Sequence, residues 1–538
     1  MTLRSRAIAA LLALGLGLTS LAGHAKPAPD LVLKLAIGDN DEKIAALGAL
    51  AASGDADALP VLEAMDGDTL KVVGEKRVLI VDGDSATDAL SGEKLAAVPD
   101  NADDVIVNNR VRGAVGAAIA ALKISSPATA VRLDAIKTLQ GGASEDMLPL
   151  LDRALAAETD ATIRRLIEQT RAGIQLHAKD PAIRLAAVET LGQSSDAANK
   201  QLLLSVLEKH DDSYAEADEN VRAAARAGIK SIDVRLKYGE WLGGLFTGLS
   251  LGSILLLAAL GLAITYGLMG VINMAHGELI MIGAYATFVV QNLVRQYAPG
   301  LLEWYPLLAV PVAFLASALV GVAMERLVIR HLYGRALETL LATWGISLVL
   351  IQLVRTLFGA QNVLVENPSW LSGGVQVMSN LILPYNRIAI LVFAAAVVIG
   401  VSLILTRTRL GLFVRAVTQN RSMASCVGVA TPHVDTLAFG LGAGIAGLAG
   451  SALSQVGNVG PDLGQSYIVD SFMVVVLGGV GQLAGTVYAA LGLGIVNKFL
   501  EGMAGAVLAK IVVLVIIIAF IQKRPQGLFA VKGRFVDA

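Results

Sequence analysis

The stretch that decides the fold is Gly267-Leu-Met-Gly-Val-Ile-Asn273-Met-Ala-His276-Gly277-Glu278-Leu-Ile-Met-Ile-Gly-Ala-Tyr285. It lies between apolar segments long enough to cross a membrane, which takes about 20 residues. An imidazole and a carboxylate are costly at bilayer depth, so His276 and Glu278 inside a membrane are a functional-site hypothesis by default. The sequence therefore predicts an all-α polytopic membrane bundle with polar residues inside it.

The composition separates two unlike parts of the 538-residue chain. Hydrophobic residues make up 55% and charged residues 16%, against about 25% charged in a typical soluble domain. Most charges fall in residues 26–237, whereas residues 241–522 are largely apolar. The net charge of −2 and the lack of a basic stripe argue against a nucleic-acid partner. The single cysteine, Cys426, excludes an intrachain disulfide and a multi-cysteine metal site, and we expect no metal or cofactor.

The first 25 residues read as a secretory signal peptide. Arg4 and Arg6 precede an apolar run from Ala7 to Leu21, and Gly23-His24-Ala25 offers a small-x-small cleavage site. The alternative is an uncleaved first transmembrane helix, but the apolar run is short for a span. We therefore expect residues 26–237 to form an exported, periplasmic domain.

The exported segment predicts a helical array. Arg, Ala and an aliphatic residue recur at i, i+3 and i+7, as in Arg132/Ala135/Leu139, Arg184/Ala187/Leu191 and Arg222/Ala225/Ile229, and residues 41–50 suggest a first copy. The pattern resembles HEAT-like helical pairs, which stack to bury one face. Strand-like runs around turn signals between Leu70 and Asn109 predict a small β-hairpin insert.

The apolar part contains eight to nine candidate spans. Lys and Arg concentrate in the loops near 330 and 415 and at the C-terminus, which the positive-inside rule places in the cytoplasm. Counting back puts the start of the first span outside, in agreement with a signal peptide. We expect a multi-pass protein of the inner membrane with its N-terminal domain in the periplasm and its C-terminus in the cytoplasm. Seven of the candidate spans are 241–266, 268–292, 304–325, 336–358, 386–406, 434–455 and 504–522, and the block 467–500 supplies the rest.

The block 467–500 is broken by glycines. Gly478, Gly479, Gly481 and Gly485 interrupt its apolar run, and discontinuous helices are tolerated at membrane depth only where they are buried or line a cavity. The sequence leaves two alternatives open: eight complete spans with a re-entrant piece, or nine spans of which some are short.

Asn273, His276 and Glu278 are the candidate residues for a solute pathway. Asn273 and His276 are three residues apart and would share a face of a helix, while Glu278 would point away. The alternative is that all three tie helices together or cap a helix end. Weaker polar candidates in or near the spans are Glu338, Thr339, Gln352, Arg355, Lys498, Glu501 and Lys510, for which we expect interfacial placement or pairing. The scarcity of buried charge favours a neutral solute.

The segment 411–428 is an amphipathic loop bounded by Gly411 and Gly428. It resembles the coupling segment of ABC permeases, which docks into a groove on an ATPase subunit. In this interpretation Val417, Met423 and Val427 dock, while Arg415 and Arg421 set the charge register. The alternative is a basic loop at the membrane surface. The chain carries no G-x-x-x-x-G-K-[ST] motif, so we expect ATP hydrolysis on a separate subunit and no enzymatic activity here.

The motif around His276 resembles the signature of the permeases of branched-chain amino acid and urea ABC importers. The run Ile521-Gln-Lys-Arg-Pro-Gln-Gly-Leu-Phe529 is also typical of them, and the resemblance covers about residues 241–530. The signal and the exported extension resemble the urea-transporting branch. The resemblance implies a permease domain at 238–530, a cytoplasmic tail at 531–538, and these partners: urea, a second related permease, cytoplasmic ABC ATPase subunits and a periplasmic substrate-binding protein.

Three other functions remain open on the sequence. The first is a permease with the same mechanism for branched-chain amino acids or short amides. The second is a membrane sensor with an exported domain that binds a ligand or partner, although no cytoplasmic signalling domain is recognisable. The third is a passive channel, against which the coupling-like loop argues.

Overall fold

The computed structural model describes residues 28–529, except 55, 75–76, 84, 100 and 211–212. The predicted signal peptide and the tail 531–538 lie outside the described residues. The chain divides into two compact units at Leu236 and Lys237. Each unit is described by itself below.

The first unit is built mainly of helices that begin at capping side chains. Asp160, Asp180 and Asp196 each accept a backbone N–H of the first turn that follows, which satisfies donors that have no partner inside the helix. Its helices are α1 (Pro29–Ile37), α2 (Asn40–Ser53), α3 (Leu59–Asp66), α4 (Asn109–Lys123), α5 (Thr129–Leu139), α6 (Leu148–Ala157), α7 (Ala161–Gln175), α8 (Pro181–Gly192) and α9 (Ala197–Val206). The long helix α10 (Glu219–Met269) follows.

The repeated arginine has the same contacts in two copies of the pattern. Arg132 makes a two-pronged ion pair with Glu158, with N–O distances of 2.8 and 3.1 Å, and donates to the carbonyl oxygen of Ser126. Arg184 pairs in the same way with Glu216, at 2.7 and 2.8 Å. The alanine and leucine of the pattern are buried in both copies. In both copies, the alanine and leucine of the pattern therefore belong to the core face of the helix. The arginine guanidinium holds the loop that precedes the helix.

The insert is larger than the predicted hairpin. The expected pair, β1 (Leu70–Val73) and β2 (Arg77–Asp82), is present and antiparallel. It is extended on one side by β3 (Ser85–Asp88) and β4 (Lys94–Leu95), and β5 (Ala102–Asp104) pairs with β1 on the other. The prediction of a single hairpin was wrong, because the later strands are two to four residues long and carry little apolar alternation. A short pair, β6 (Lys209–His210) and β7 (Ser213–Tyr214), follows α9.

Among the described residues, eight helices are long and apolar enough to cross a membrane; the first is α10, which begins before Lys237 and continues into the second unit. The others are α11 (His276–Tyr297), α12 (Tyr305–Leu327), α13 (Ala336–Phe358), α14 (Tyr385–Arg407), α17 (Thr431–Ser454), α19 (Leu483–Ala504) and α20 (Ala506–Lys523). Between them lie the short helices α15 (Arg409–Gln419), α16 (Arg421–Cys426) and α18 (Leu463–Gly478), and the hairpin β8 (Gly374–Met378) with β9 (Leu381–Pro384).

Helix α17 is the centre of the second unit, and most of its residues are buried. Its glycines replace side chains with backbone contact. A Cβ on Gly447 would lie 2.4 Å from the Ala313 carbonyl oxygen of α12, and one on Gly450 would meet the Ile280 carbonyl of α11. Small residues at such spacing let membrane helices approach closely. These glycines therefore let α17 pack directly against the backbones of α11 and α12.

The ion pair between Arg132 and Glu158 predicts a stability effect in the first unit. Arg132→Gln leaves the buried Glu158 carboxylate without its main partner, and we expect a loss of about 2 kcal/mol, since a hydrogen bond to a charged group contributes about 1.5–3 kcal/mol. Amide hydrogen exchange across residues 129–175 of the full-length solubilised protein measures it. The Arg132 hydrogen bonds lower the pKa of Glu158 from 4.5 to about 2. Its stabilisation is therefore complete above pH 4.5 and is lost as the pH falls toward 2.

The matched control is Arg164→Gln. Arg164 pairs with Glu168 at 3.4 Å, with both side chains exposed, and exposed pairs contribute about 0–1 kcal/mol. Equal exchange in the two variants would contradict a stabilising role for the buried pair.

Candidate functional site

The predicted motif lies at a break between two membrane helices. Helix α10 ends at Met269, the segment 270–275 is not helical, and α11 begins at His276. Gly270 has φ +65°, a left-handed conformation that favours glycine. The prediction that Asn273 and His276 share a helix face was wrong, because the chain leaves the helix before Asn273.

The break places the start of α11 inside the bundle. His276 Nε2 lies 2.9 Å from the Ala258 carbonyl oxygen, and Ala258 is 11 residues before the end of α10. At 1.5 Å per residue, His276 is about 16 Å from that end. The segment 270–275 therefore runs back along α10, and α11 starts at bilayer depth as a discontinuous helix.

The three polar side chains are buried but point to different partners. His276 contacts α10, whereas Asn273 Oδ1 accepts the Ala275 N–H at 3.1 Å within its own turn. Glu278 lies beside Ser347 of α13. The Thr343 hydroxyl, also on α13, accepts the Met274 N–H at 3.2 Å. The motif is thus a junction that holds α10, α11 and α13 together.

Each of the three residues retains one polar atom with no protein partner. These atoms are Asn273 Nδ2, His276 Nδ1 and Glu278 Oε2. An unsatisfied polar group in a low-dielectric interior costs about 1–3 kcal/mol. The junction can therefore bind further polar groups, but in this conformation a solute reaches it only if the surrounding helices separate.

A second helix begins beside the first. Gly277 is the second residue of α11 and Gly464 is the second residue of α18, and the two are in backbone contact. A Cβ on Gly277 would lie 2.5 Å from the Gly464 carbonyl oxygen. Gly464 was not among the site residues predicted from the sequence. The turn-forming residues Gly457, Gly460 and Pro461 before it nevertheless signal a helix start.

The glycine block interrupts a helix as the sequence suggested. Helix α18 ends at Gly478, and Gly479 and Gly481 have φ of +98° and +78°. Gly485, near the start of α19, packs against Gly478. In the described part of the chain, eight helices have the length of a membrane span, and α18 is a shorter apolar helix.

The coupling-like loop folds into α15 and α16, and its candidates separate into two groups. Val417 is only 4% exposed and packs with Ala424 and Val434, so it cannot dock onto a partner as predicted. Met423 and Val427 are 60% and 72% exposed. Helical spacing alone did not reveal which apolar residues face the rest of the chain.

The basic residues of the loop contact their own chain. Arg415 donates to the Gly411 carbonyl oxygen at 3.2 Å. Arg421 forms an ion pair with the buried Asp435 of α17 and lies over the Tyr333 ring at 4.9 Å. Gly428 has φ +91°, with no side-chain or backbone neighbour at its Cβ position.

The Arg421 ion pair belongs to a larger cluster. Tyr333 donates to Glu325 of α12 at 2.9 Å, and Thr436 of α17 donates to the same carboxylate at 2.7 Å. Arg421 therefore fixes α16 to two membrane helices. The expectation that Arg421 also sets the charge register on a separate subunit stays a prediction, since its side chain is 43% exposed beside this ion pair.

The contact between the two helix starts predicts a steric effect. Gly277→Ala drives a methyl group into the Gly464 backbone, which cannot yield as a flexible side chain would. We expect a loss of about 1–3 kcal/mol, the usual cost of overpacking, seen as lower thermal stability in detergent.

Gly345→Ala is the control. Gly345 lies in α13, and a Cβ there would meet nothing within 4 Å. We expect it to be neutral or to stabilise by up to about 1 kcal/mol, as alanine does in a helix. Equal melting temperatures for both variants would contradict the close contact.

Comparison with known proteins matches the second unit. The family model "Branched-chain amino acid transport system / permease component" covers residues 244–521. The permease protein BraD of Pseudomonas aeruginosa is 29% identical over 54% of this chain and 95% of its own length. The permease protein LivH of Escherichia coli K12 is 29% identical over 53% of this chain and 94% of its own length. Both are named as high-affinity branched-chain amino acid transport system permease proteins. No solved structure matches.

The family match covers just over half of the chain and coincides with the unit that holds the eight membrane-length helices. The recognised resemblance is confirmed at the level of the family, while the urea branch is not. This chain is a multi-pass membrane protein and belongs to the family of branched-chain amino acid transport system permease components.

Proposed function

We propose that this chain is a permease subunit of an ATP-driven ABC importer in the inner membrane. The observation that carries the proposal is the family match over residues 244–521, which spans the helical bundle from α10 to α20. In this proposal the importer also contains a second permease, ATPase subunits and a substrate-binding protein. The N-terminal unit lies in the periplasm and the C-terminus in the cytoplasm, as the distribution of basic residues indicates.

Branched-chain amino acids are the better-supported cargo. The relatives BraD and LivH are named for that cargo, and they match along 94–95% of their length. Identity of 28–29% supports the same transport class. Urea, the cargo that the resemblance in the sequence implied, is therefore the second candidate.

Urea is favoured by one specific observation. The relatives align with 52–54% of this chain but with most of their own length, and the family model matches residues 244–521, so the first unit lies outside the family match. The exported extension is the feature that resembled the urea-transporting branch.

Uptake of labelled solutes separates the two cargoes. We expect cells with the gene to take up labelled leucine or labelled urea at micromolar concentration, and cells without it to lose that uptake; urease is present to trap urea. Leucine uptake that ignores excess urea assigns the amino-acid cargo, and urea uptake that ignores excess leucine assigns urea. Gene-independent uptake of both would contradict the permease proposal and favour the sensor.

Coupling to an ATPase is proposed for the outer face of α15 and α16. Met423, Val427, Leu412 and Phe413 are exposed apolar side chains on this loop. The Arg421 cluster fixes the loop to α12 and α17, so force on this face is transmitted to the helices that pack on the α11 break. A short helix that is held rigidly and exposes apolar side chains suits helix-in-groove recognition.

Met423→Glu tests this surface. A carboxylate at the centre of an apolar contact must be desolvated without a partner, so we expect uptake and solute-stimulated ATP hydrolysis to fall at least about tenfold, with normal abundance in the membrane.

Met503→Glu is the matched control, since Met503 is also exposed but lies at the end of α19, next to Gly505. We expect it to retain uptake. Loss in both variants, or in neither, would contradict a docking role for α16.

A further inference from the structure

Helix α18 carries an exposed polar face at the depth of the membrane. Gln465 and Ser466 are exposed, and Asp462, just before the helix, is exposed as well. Asp470 lies one turn further along the same face, because residues three and four apart are neighbours on a helix. This face cannot be stabilised by lipid.

The other outward faces of the bundle differ from α18. Exposed residues of α12 include Leu315 and Leu319, and those of α14 include Val392 and Ile399. Such faces suit lipid or an apolar protein surface. Helix α18 therefore exposes Gln465 and Ser466 beside Val469, whereas the exposed residues named on α12 and α14 are apolar.

The position of Asp470 shows that the polar face is deep. Asp470, Asn497 and Lys510 line a cavity of about 10 Å³ together with Leu493. Leu493 lies at the middle of the 22-residue helix α19. A cavity of this size holds about one water molecule, so the polar groups lie well inside the span.

Two ion pairs border the face. Arg355 of α13 lies 2.7 Å from Asp462, and Lys510 of α20 lies 3.6 Å from Asp470. Lys510 remains 56% exposed, whereas Asp470 is 16% exposed. A charged side chain at the centre of a span costs at least about 2.5 kcal/mol and almost always faces protein or a water-filled cavity. Arg355 and Lys510, expected to be interfacial or paired, are both paired and flank α18.

We propose that the exposed face of α18 is a wall of the solute path, and that a second permease subunit closes the path on the opposite side. The stripe is formed by Arg355, Asp462, Gln465, Ser466, Asp470 and Lys510. The inference rests on the permease function proposed above. It moves the path from the buried Asn273, His276 and Glu278 to the surface of this subunit.

The stripe fits a small solute that both donates and accepts hydrogen bonds. Arg355, Lys510 and the Gln465 amide donate, while Asp462, Asp470 and the Ser466 hydroxyl accept. Zwitterionic amino acids and urea share this chemistry. Donors from α13 and α20 lie beside the polar side chains of α18, so a solute can exchange partners stepwise without being stripped of all of them.

The α10–α11 junction then has a mechanical role in the path. Gly464 of α18 rests directly on Gly277, so movement of α18 and rearrangement at His276 are joined by backbone contact. The stripe is the surface along which the solute moves, and the junction is the support against which α18 is held.

Cysteine labelling in the assembled transporter tests the proposal. Cys426 is the only cysteine, so Cys426→Ser gives a background without thiols. Ser466→Cys and Val469→Cys are introduced separately on the exposed face of α18. A charged, water-soluble methanethiosulfonate reagent reacts with thiolates that water can reach. We expect both variants to react at least roughly tenfold faster than lipid-facing controls.

The controls are Leu319→Cys on α12 and Ile399→Cys on α14, which are exposed in the isolated chain but lie on apolar faces. Excess leucine and excess urea are added in separate arms, and we expect one of them to slow the reaction at the α18 positions. Rates equal to the controls would overturn the proposal. Fast reaction slowed by neither solute would also overturn it, because the crevice would then be wet without being a solute path.

The two proposals fail separately in this design. Uptake of both solutes that does not depend on the gene contradicts the permease function, whereas slow labelling in a chain that supports uptake contradicts only the assignment of α18. Two labelled positions, each checked for membrane abundance, keep the result independent of the folding of any one variant.

Discussion

The structure of the membrane unit depends on the need to satisfy backbone hydrogen bonds where water is absent. A chain that leaves its helix inside a bilayer exposes N–H and C=O groups that lipid cannot pair. Here the break after Met269 is tolerated because other parts of the protein supply partners. The Thr343 hydroxyl accepts the Met274 N–H, and the Asn273 side chain accepts the Ala275 N–H. The polar side chains at the break therefore serve first to satisfy backbone N–H groups that lipid cannot pair.

Close approach of helices is what makes this arrangement compact. Glycines let α11, α17 and α18 touch through their backbones, at Gly277 with Gly464 and at Gly283 with Gly447. Such contacts favour van der Waals packing, which is a main source of helix association in lipid. They also leave little freedom, because each helix position depends on its neighbours. The Arg421 cluster extends this rigidity to the loop at 409–426.

The same constraint separates structural from functional polar residues. A polar group that ties helices together is buried, as His276 is through its contact with Ala258. A polar group that meets a solute needs a face that is open, as the α18 stripe is in the isolated chain. Depth and residue type alone do not distinguish the two classes. Exposure distinguishes the buried His276, which adjoins Gly277, from the exposed Gln465 and Ser466, which adjoin Gly464.

The amino-acid sequence by itself determined the class of protein, its two-part organisation, the approximate spans and the breaks at glycines, because apolar length and glycine content are local properties. It also revealed the family through the motif around His276. Only the tertiary structure decided that Asn273 precedes the helix, that Val417 faces inward and that Arg421 pairs with Asp435. It also decided that the insert at 70–104 has five strands and that α18 starts against α11. These features depend on contacts between residues far apart in the chain, and no spacing rule within one segment contains that information.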